Sequence, residues 1–563
     1  MIASLTSIIN KSAEKVLHSF FWRQLFFILA TGLTLGLMGY YFGTFDQVSH
    51  IPFLKKLADP SLYPNDRFFD LQKTHYSYFW LFFIPFFKVG ILEPIMFVIY
   101  LFTVYFTFWN IYYLSFTLFN NKTAAFLSVI VFIFPHVGFA GFPVFEFSLI
   151  NRTFVLPFLL LAINLYLQKR YYLSFFLLGL LYNLHVISVN FVIFMLIVDS
   201  LKQRFIKNKA TVILNCILFI IAALPVFLWK FGQSPIDLTV KPEWFSLISR
   251  GAFKHLFYYF EITPPTFLLT INGVATIVFY FLSQKEFKSK YQQILNNFMV
   301  GAIIVLFAQL LATYFYPAVI IIQSQIVRIG IFVLIIGYLQ FIAYFNWLYY
   351  EKKISAIALI TLLSVIFFSP LFILTLVTWL LMRKFPTVTV IKVVLVLLFL
   401  SDFTIILVLS KLGFWRPQIH VYPEKNDNYR VQQWVKNNTD KSAFFIVPPS
   451  LWWFYDLDWR VISERSTVVT WSELLEAAFT PEYIPYWYSR FNDLAPGTLE
   501  KFNGDVINNF KVMENAYYSL DQSDFYRLSQ KYQAQFLLVE KPHYYNFPIV
   551  YQNNSFILYQ LRH

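Results

Sequence analysis

The chain has 563 residues, of which 58% are hydrophobic, 21% aromatic and only 13% charged, with a mean hydropathy of +0.58; this excludes an ordinary soluble protein and predicts a membrane protein. The net charge of +14 would suit a nucleic-acid surface, but from Leu412 onward 14 Lys and Arg face 16 Asp and Glu, so the excess sits in the apolar part and no nucleic-acid partner is expected. A single cysteine, Cys216, excludes an intrachain disulfide framework and a thiolate metal cluster, and scattered histidines with no HExxH spacing leave no visible transition-metal site.

A spanning helix requires roughly 20 apolar residues. In chain order, the segments 23–42, 92–118, 124–141, 153–167, 171–184, 186–201, 212–229, 267–282, 296–314, 327–349, 354–368, 371–381 and 388–411 meet or approach that requirement, which predicts about thirteen spans. With the N-terminus cytoplasmic, the short cationic clusters fall on one side: Lys11 and Lys15, Lys122, Lys169 and Arg170, the group from Lys202 to Lys209, Lys285 to Lys290, Lys352 and Lys353, and Arg383 and Lys384. The positive-inside rule asks for that arrangement. It requires that 76–88 form an interfacial helix, and that 171–201 be two short helices joined around His185. The segments 43–88, 142–152, 230–263, 314–328 and everything after Lys411 then share the outer side.

The first outer loop, "GTFDQVSHIPFLKKLADPSLYPNDRFFD", carries Asp46, Asp59, Asp66 and Asp70 in a chain otherwise poor in charge. Asp59 precedes Pro60 and reads as a turn residue; Asp66 reads as the cap of a helix over 67–73. Asp46 directly follows a span, where acids are functional candidates by default, although it would serve equally as a cap for the helix behind it. Glu146 and Arg152, six residues apart, either line the same cavity as Asp46 or pair with each other, with the pair favoured. His185, between two short helices, reads first as a histidine satisfied by neighbouring backbone and second as a cavity residue. Asp402, inside the last span, is an acid expected to face the bundle.

From Leu412 the composition changes. "YRVQQWVKNNTDKSAFFIVPP" places Val431, Trp434 and Val435 at helical spacing, followed by a turn and a strand over 443–447. "AQFLLVE" and "FPIVYQNNSFILYQL" add strands with a turn at Asn553 and Asn554. The reading is a multispanning domain over 1–411, with its long outer loop at 43–88, and a soluble α/β domain over 412–563.

This layout resembles the GT-C superfamily of polyprenol-dependent membrane glycosyltransferases. The opening loop, the "NLH" turn, the "QSQIVR" segment and the "VQQWVKNNTDKSAFFIVPP" start resemble a group of bacterial multispanning proteins of that type. The resemblance implies a GT-C-like polytopic α-helical fold in the bacterial inner membrane, with the C-terminal domain extracytoplasmic. It implies a donor sugar on a polyprenyl phosphate and membrane lipids as surroundings. GT-C enzymes hold an acid soon after the first span, and Asp46 of "FDQ" matches that place. Its neighbour is Gln47 rather than a second acid, a departure from the pair that commonly serves a divalent metal, and no other cofactor is implied. Arg328 of "QSQIVR", preceded by Gln325, matches the basic residue presented to the lipid phosphate.

The chemistry of such a transfer needs a base for the acceptor hydroxyl and cations for the departing phosphate. Partial desolvation would make Asp46 a stronger base, Arg328 would hold phosphate through parallel hydrogen bonds, and Lys55, Lys56 and Arg67 would add positive field. The pair Trp452 and Trp453 could stack on a sugar but is expected to be packing in so aromatic a chain. A transporter or flippase of a lipid-linked glycan, or a non-catalytic envelope scaffold, would also account for polar residues in a bundle.

Overall fold

A computed structural model of the chain describes residues 19–138, 141–203, 209–232, 239–251, 264–366, 372–384, 415–451, 455–502 and 506–561, with isolated positions between 393 and 411. Asp402, the Trp452–Trp453 pair and most of the predicted span over 388–411 lie outside the described residues.

Among the described residues up to Lys384 most apolar runs form helices, and the protein is a helical membrane protein. Among the described residues five helical stretches are long and apolar enough to cross a bilayer: Phe20–Met38, Leu92–Phe119, Lys209–Phe231, Gln292–Tyr314 and Val319–Tyr350. Shorter apolar helices fill the bundle between them, including Lys122–Phe132, Asn151–Leu167 and Tyr171–Tyr182. The chain does break at 183–185, where Tyr171–Tyr182 ends and Val186–Gln203 begins. Most helices bury residues around more than one side, and their buried side chains form one continuous apolar core.

The segment 76–88 departs from the expected interfacial helix. It is a 3₁₀ turn, Trp80–Phe83, followed by the five-residue helix Ile84–Lys88. The residues before it cannot join a helix because they are tied to the break at 183–185: the Tyr78 amide donates to the Asn183 carbonyl (2.8 Å) and the Ser77 hydroxyl to the Leu184 carbonyl (2.6 Å). The loop 43–88 therefore rests on the same turn that carries His185.

The C-terminal part begins by returning to the first helix. Strand β1 (Tyr40–Tyr41) pairs in parallel with β2 (Ile419–His420). Gly39 makes this approach possible: its φ is +84°, and a Cβ there would sit 2.4 Å from the Gln418 carbonyl oxygen. Beyond it, the five strands β3 (Phe444–Ile446), β4 (Ser466–Thr467), β5 (Phe536–Glu540), β6 (Ile549–Gln552) and β7 (Phe556–Gln560) form a mixed sheet in the order β4-β3-β5-β7-β6. The first pairings, β4 with β3 and β3 with β5, are parallel; β7 runs antiparallel to both β5 and β6. Helices such as Asp427–Asn438, Ile484–Leu494 and Gln522–Tyr532 pack beside it, the last closed by a capping box between Asp521 and Asp524.

The loop 43–88 and the C-terminal part share a core. Phe53, Phe68 and Leu71 of the loop and Trp244 and Ile248 of the helix Pro242–Gly251 pack with Trp471, Leu474, Tyr483 and Trp487. Three of the four loop aspartates are paired within this assembly. Asp59 takes hydrogen bonds from Ser61 and Lys441 (2.7 Å from Nζ), and Asp70 lies beside Arg67 and Lys73 on the surface. Asp66 accepts from the Phe68 amide as the cap of the 3₁₀ helix Arg67–Thr74, as its position before Arg67 predicts. It also meets Arg460 in a fork, Nε to Oδ2 at 2.8 Å and Nη2 to Oδ1 at 3.2 Å. The same guanidinium reaches Glu473 at 2.7 Å and lies over the Phe68 ring, so one fully buried cation joins two acids and an aromatic face.

Removing one partner from such a buried network strands charge in a dry interior, at a cost of about 3–5 kcal/mol. Arg460→Met is expected to lower the thermal unfolding temperature of the detergent-solubilised protein and to open the loop around 59–66 to limited proteolysis. Arg67→Met, which removes an exposed pair, should leave both readouts within about 0.5 kcal/mol of the parent.

Candidate functional site

The fourth loop aspartate turns the other way, into the helical bundle. Gln47, wholly buried, sets its position. Its Oε1 accepts the Gly43 amide at 2.7 Å and its Nε2 donates to the Leu149 carbonyl at 2.7 Å, which joins the loop to the chain just before the helix Asn151–Leu167. The residue that departs from the acidic pair is thus a strut. Between Gly43 and Gln47 the backbone is bent sharply: Phe45 holds a φ of +51°, a conformation that non-glycine residues rarely adopt, and its ring is stacked on Phe147 at 5.2 Å.

Asp46 occupies the cap position of the helix Gln47–Ala58 but makes no cap hydrogen bond with its side chain. Its Oδ2 instead accepts from Nη1 of Arg152, whose Nε donates to Glu146 Oε1 at 2.6 Å. Arg152 is therefore held between two carboxylates, and Glu146 and Arg152 both pair with each other and share a cavity. That small cavity is lined by Phe142, Glu146, Arg152, Ser188, Arg328 and Phe332 among others. Asp46 remains 38% exposed at its side chain, and its Oδ1 takes no hydrogen bond among the described residues.

Arg328 differs from Arg152 in having no ion pair among the described residues. Its guanidinium lies over the Phe142 ring, 4.1 Å from the ring centre, and its buried Nε has no hydrogen-bond partner. It sits on the 3₁₀ turn Ile326–Ile329, which follows Gln325, a buried residue in the left-handed region at φ +44°. His185 lies at the start of the helix Val186–Gln203, where its Nδ1 accepts from the Ser188 amide at 3.2 Å and lies 2.8 Å from the Ser188 hydroxyl. A neutral ring that accepts there carries its hydrogen on Nε2. His185 is thus satisfied by neighbouring backbone, as its local reading predicts, while Ser188 lines the cavity.

The structure brings Asp46, Glu146, Arg152 and Arg328 together and gives the other predicted cations different partners. Lys55 is buried, with Nζ bonded to the Val461 carbonyl and to Glu464 at 2.8 Å each, so its charge serves the joint with the C-terminal part. Lys56 donates to the carbonyls of Pro60 and Leu62. Arg67 is exposed, paired with Asp70 and lying over Tyr486. Two histidines and an acid that sequence reasoning passed over do adjoin the site. His50 is four residues beyond Asp46, His75 packs against it, and Glu476 lies 2.8 Å from His75 Nε2.

The electrostatics correct the expectation of a strengthened base. Burial does push the Asp46 carboxyl upward, but Arg152 and Arg328 more than offset it, and the group is held well below the usual carboxylate range. Burial likewise raises Glu476, and the charge and hydrogen bond of His75 turn the balance, leaving it lowered. Among the described residues no three His, Cys, Asp or Glu side chains gather as a metal-holding cluster.

Residues 426–494 match a family model described as a domain of unknown function, DUF6798. That stretch contains Arg460, Glu464, Glu473 and Glu476, the residues that receive the outer loop. No curated protein matches the chain.

A carboxyl whose folded pKa is depressed contributes stability that is present above its unfolded value and is lost as pH falls through the folded one. Arg152→Gln removes the nearer guanidinium, so the Asp46 pKa should rise toward about 4. Its ¹³C-carboxyl titration in the full-length protein checks this directly. The variant should also be less stable than the parent at pH 7, and the difference should shrink as the pH falls below about 4.

Proposed function

We propose that the protein is an integral-membrane glycosyltransferase that moves a sugar from a polyprenyl-phosphate donor to an acceptor hydroxyl on the outer face of the membrane. In this reading the chain makes about thirteen spans in a GT-C-like arrangement, with a cytoplasmic N-terminus and an extracytoplasmic α/β domain after residue 411, in a bacterial inner membrane. The observation that carries it is the guanidinium of Arg328, without an ion pair among the described residues, in a cavity also lined by Arg152, which holds the part-exposed carboxylate of Asp46. A half-buried cation without a counter-ion is a site that favours an anion, and the helices Asn151–Leu167 and Val186–Gln203 begin close by, adding the positive ends of two helix dipoles.

In the reaction Arg328 binds the phosphate as its negative charge grows. The acceptor oxygen forms a bond to the sugar's anomeric carbon while the bond from that carbon to the phosphate oxygen breaks, and polyprenyl phosphate leaves with the electron pair. Asp46 Oδ1 accepts the hydroxyl proton. A single displacement of this kind inverts the anomeric configuration. Arg152 fixes the carboxylate through its other oxygen, and Glu146 fixes Arg152, which keeps the reacting oxygen aimed without a further ligand.

Release of polyprenyl phosphate from a panel of polyprenyl-phosphate sugars, with envelope extract as acceptor, tests the reading. The parent is expected to release it, and folded Asp46→Asn to lose activity by about a hundredfold or more. Arg328→Gln should weaken the apparent donor affinity about tenfold or more, consistent with loss of a charge-assisted contact. No release from any donor, or equal release by parent and Asp46→Asn, would exclude transfer and favour transport or scaffolding.

A further inference from the structure

A carboxylate held low by two guanidiniums keeps a proton only briefly, so a proton taken up at Asp46 passes downhill to a neighbour of higher proton affinity. His50 is in that position. Its backbone amide points to the Asp46 carbonyl at 3.4 Å, so the two residues are one helical turn apart and their side chains leave the same side of Gln47–Ala58. Its ring is fixed on two sides. It is stacked on Trp80, with ring centres 4.7 Å apart and planes 23° apart, and it meets His75 edge-on at 5.5 Å and 81°. His75 Nε2 in turn lies 2.8 Å from Glu476 Oε2, on the helix Ser472–Ala477 of the C-terminal part.

We propose that Asp46 and His50 form a proton path out of the site, with His75 and Glu476 holding the His50 ring in place, an inference that builds on the glycosyl-transfer reading. The acceptor's proton goes first to Asp46, then across a bridging water to a ring nitrogen of His50, and from the half-buried His50 to bulk water. His75 and Glu476 are positioning residues that hold the His50 ring in line. The proton balance closes: the acceptor loses one proton, the departing phosphate carries the electron pair of the broken bond, and water receives the proton.

The surroundings of His50 fit a group that takes up a proton and then gives it away. The charged and titratable groups that face it are Asp46 on its own helix, His75 on the loop, Arg152 on the bundle and Glu476 on the C-terminal part. Burial is the largest influence and lowers the ring to about 4; Glu476 and Asp46 favour its charged form, while His75 and Arg152 oppose it. The resting ring is therefore neutral and able to accept, held among the described residues by its ring contacts with Trp80 and His75.

The experiment uses the full chain in nanodiscs, labelled with ¹⁵N-histidine, with the His50 signal assigned by its disappearance in His50→Gln. Asp46→Asn and Glu476→Gln each remove a negative charge that favours the charged ring, so each is expected to lower the His50 pKa by about half a pH unit. If neither variant moves it, the path is overturned whatever the activity of the protein. In the transfer assay His50→Gln should reduce kcat about tenfold or more with the donor KM unchanged, and added imidazole should restore turnover. Equal kcat in His50→Gln and the parent would overturn the relay. Absence of transfer in the parent itself would remove the glycosyl-transfer reading and leave the ring titrations to decide the path.

Discussion

Arg152 is the constraint on which the site depends. One guanidinium, at the first turn of the helix Asn151–Leu167, is shared between Glu146 on its own strand of chain and Asp46 on the outer loop. A lone carboxylate at that depth would be driven toward its neutral form by desolvation. The shared cation reverses the balance, and with it the character of the site: it holds fixed negative charge on one wall and a second guanidinium, Arg328, on the other. The Gln47 strut makes the same junction with neutral hydrogen bonds, so the loop and the helix are joined twice within two residues.

The other end of the loop is anchored by equivalent physics on the C-terminal part. Lys55 to Glu464, Asp66 to Arg460 and His75 to Glu476 are three polar contacts at three points along the loop, the first two of them ion pairs, each with its partner in the stretch that matches DUF6798. Tyr63 adds a hydrogen bond from its hydroxyl to the Arg460 carbonyl, and the Thr74 and Thr480 hydroxyls meet at 2.8 Å. A buried ion pair need not stabilise more than an apolar pair would, but its directional hydrogen bonds specify one register of loop against receptor. That specificity matters here because the helix carrying Asp46 and His50 has its last turn in this joint and its first turn in the bundle.

Much of this was legible wherever the interacting residues are close in sequence. Apolar runs marked the helices, the Asn-Asp-Arg sequence marked the cap at Asp66, the Asp-Pro step marked the turn at Asp59, and six residues between Glu146 and Arg152 suggested their pair. What was not legible is separated by hundreds of positions. Asp66 and Arg460 are 394 residues apart and Lys55 and Glu464 are 409, so Lys55 read as spare positive field when its charge was already committed. Glu476 carried no local signal at all. The segment 76–88 read as a helix because its apolar pattern permits one, and it failed to become one because Ser77 and Tyr78 bond to the turn at 183–185.

The same separations explain why the site at Asp46 requires the far end of the chain. A loop of this length cannot bury enough apolar surface to order itself; its Phe53, Phe68 and Leu71 find a core among the side chains of the C-terminal part and of the helix Pro242–Gly251. The loop thus acts as a bridge that is stable only when both supports are present. Its four aspartates follow from that role. Asp59 and Asp66 fasten the bridge to the C-terminal part, Asp70 stays at the surface, and Asp46 alone is directed into the bundle, where one of its oxygens meets Arg152, a residue that lines the cavity with Arg328. The cost of placing an acid there is met by Arg152, and the position of that acid is set by ion pairs whose other halves lie about four hundred residues away.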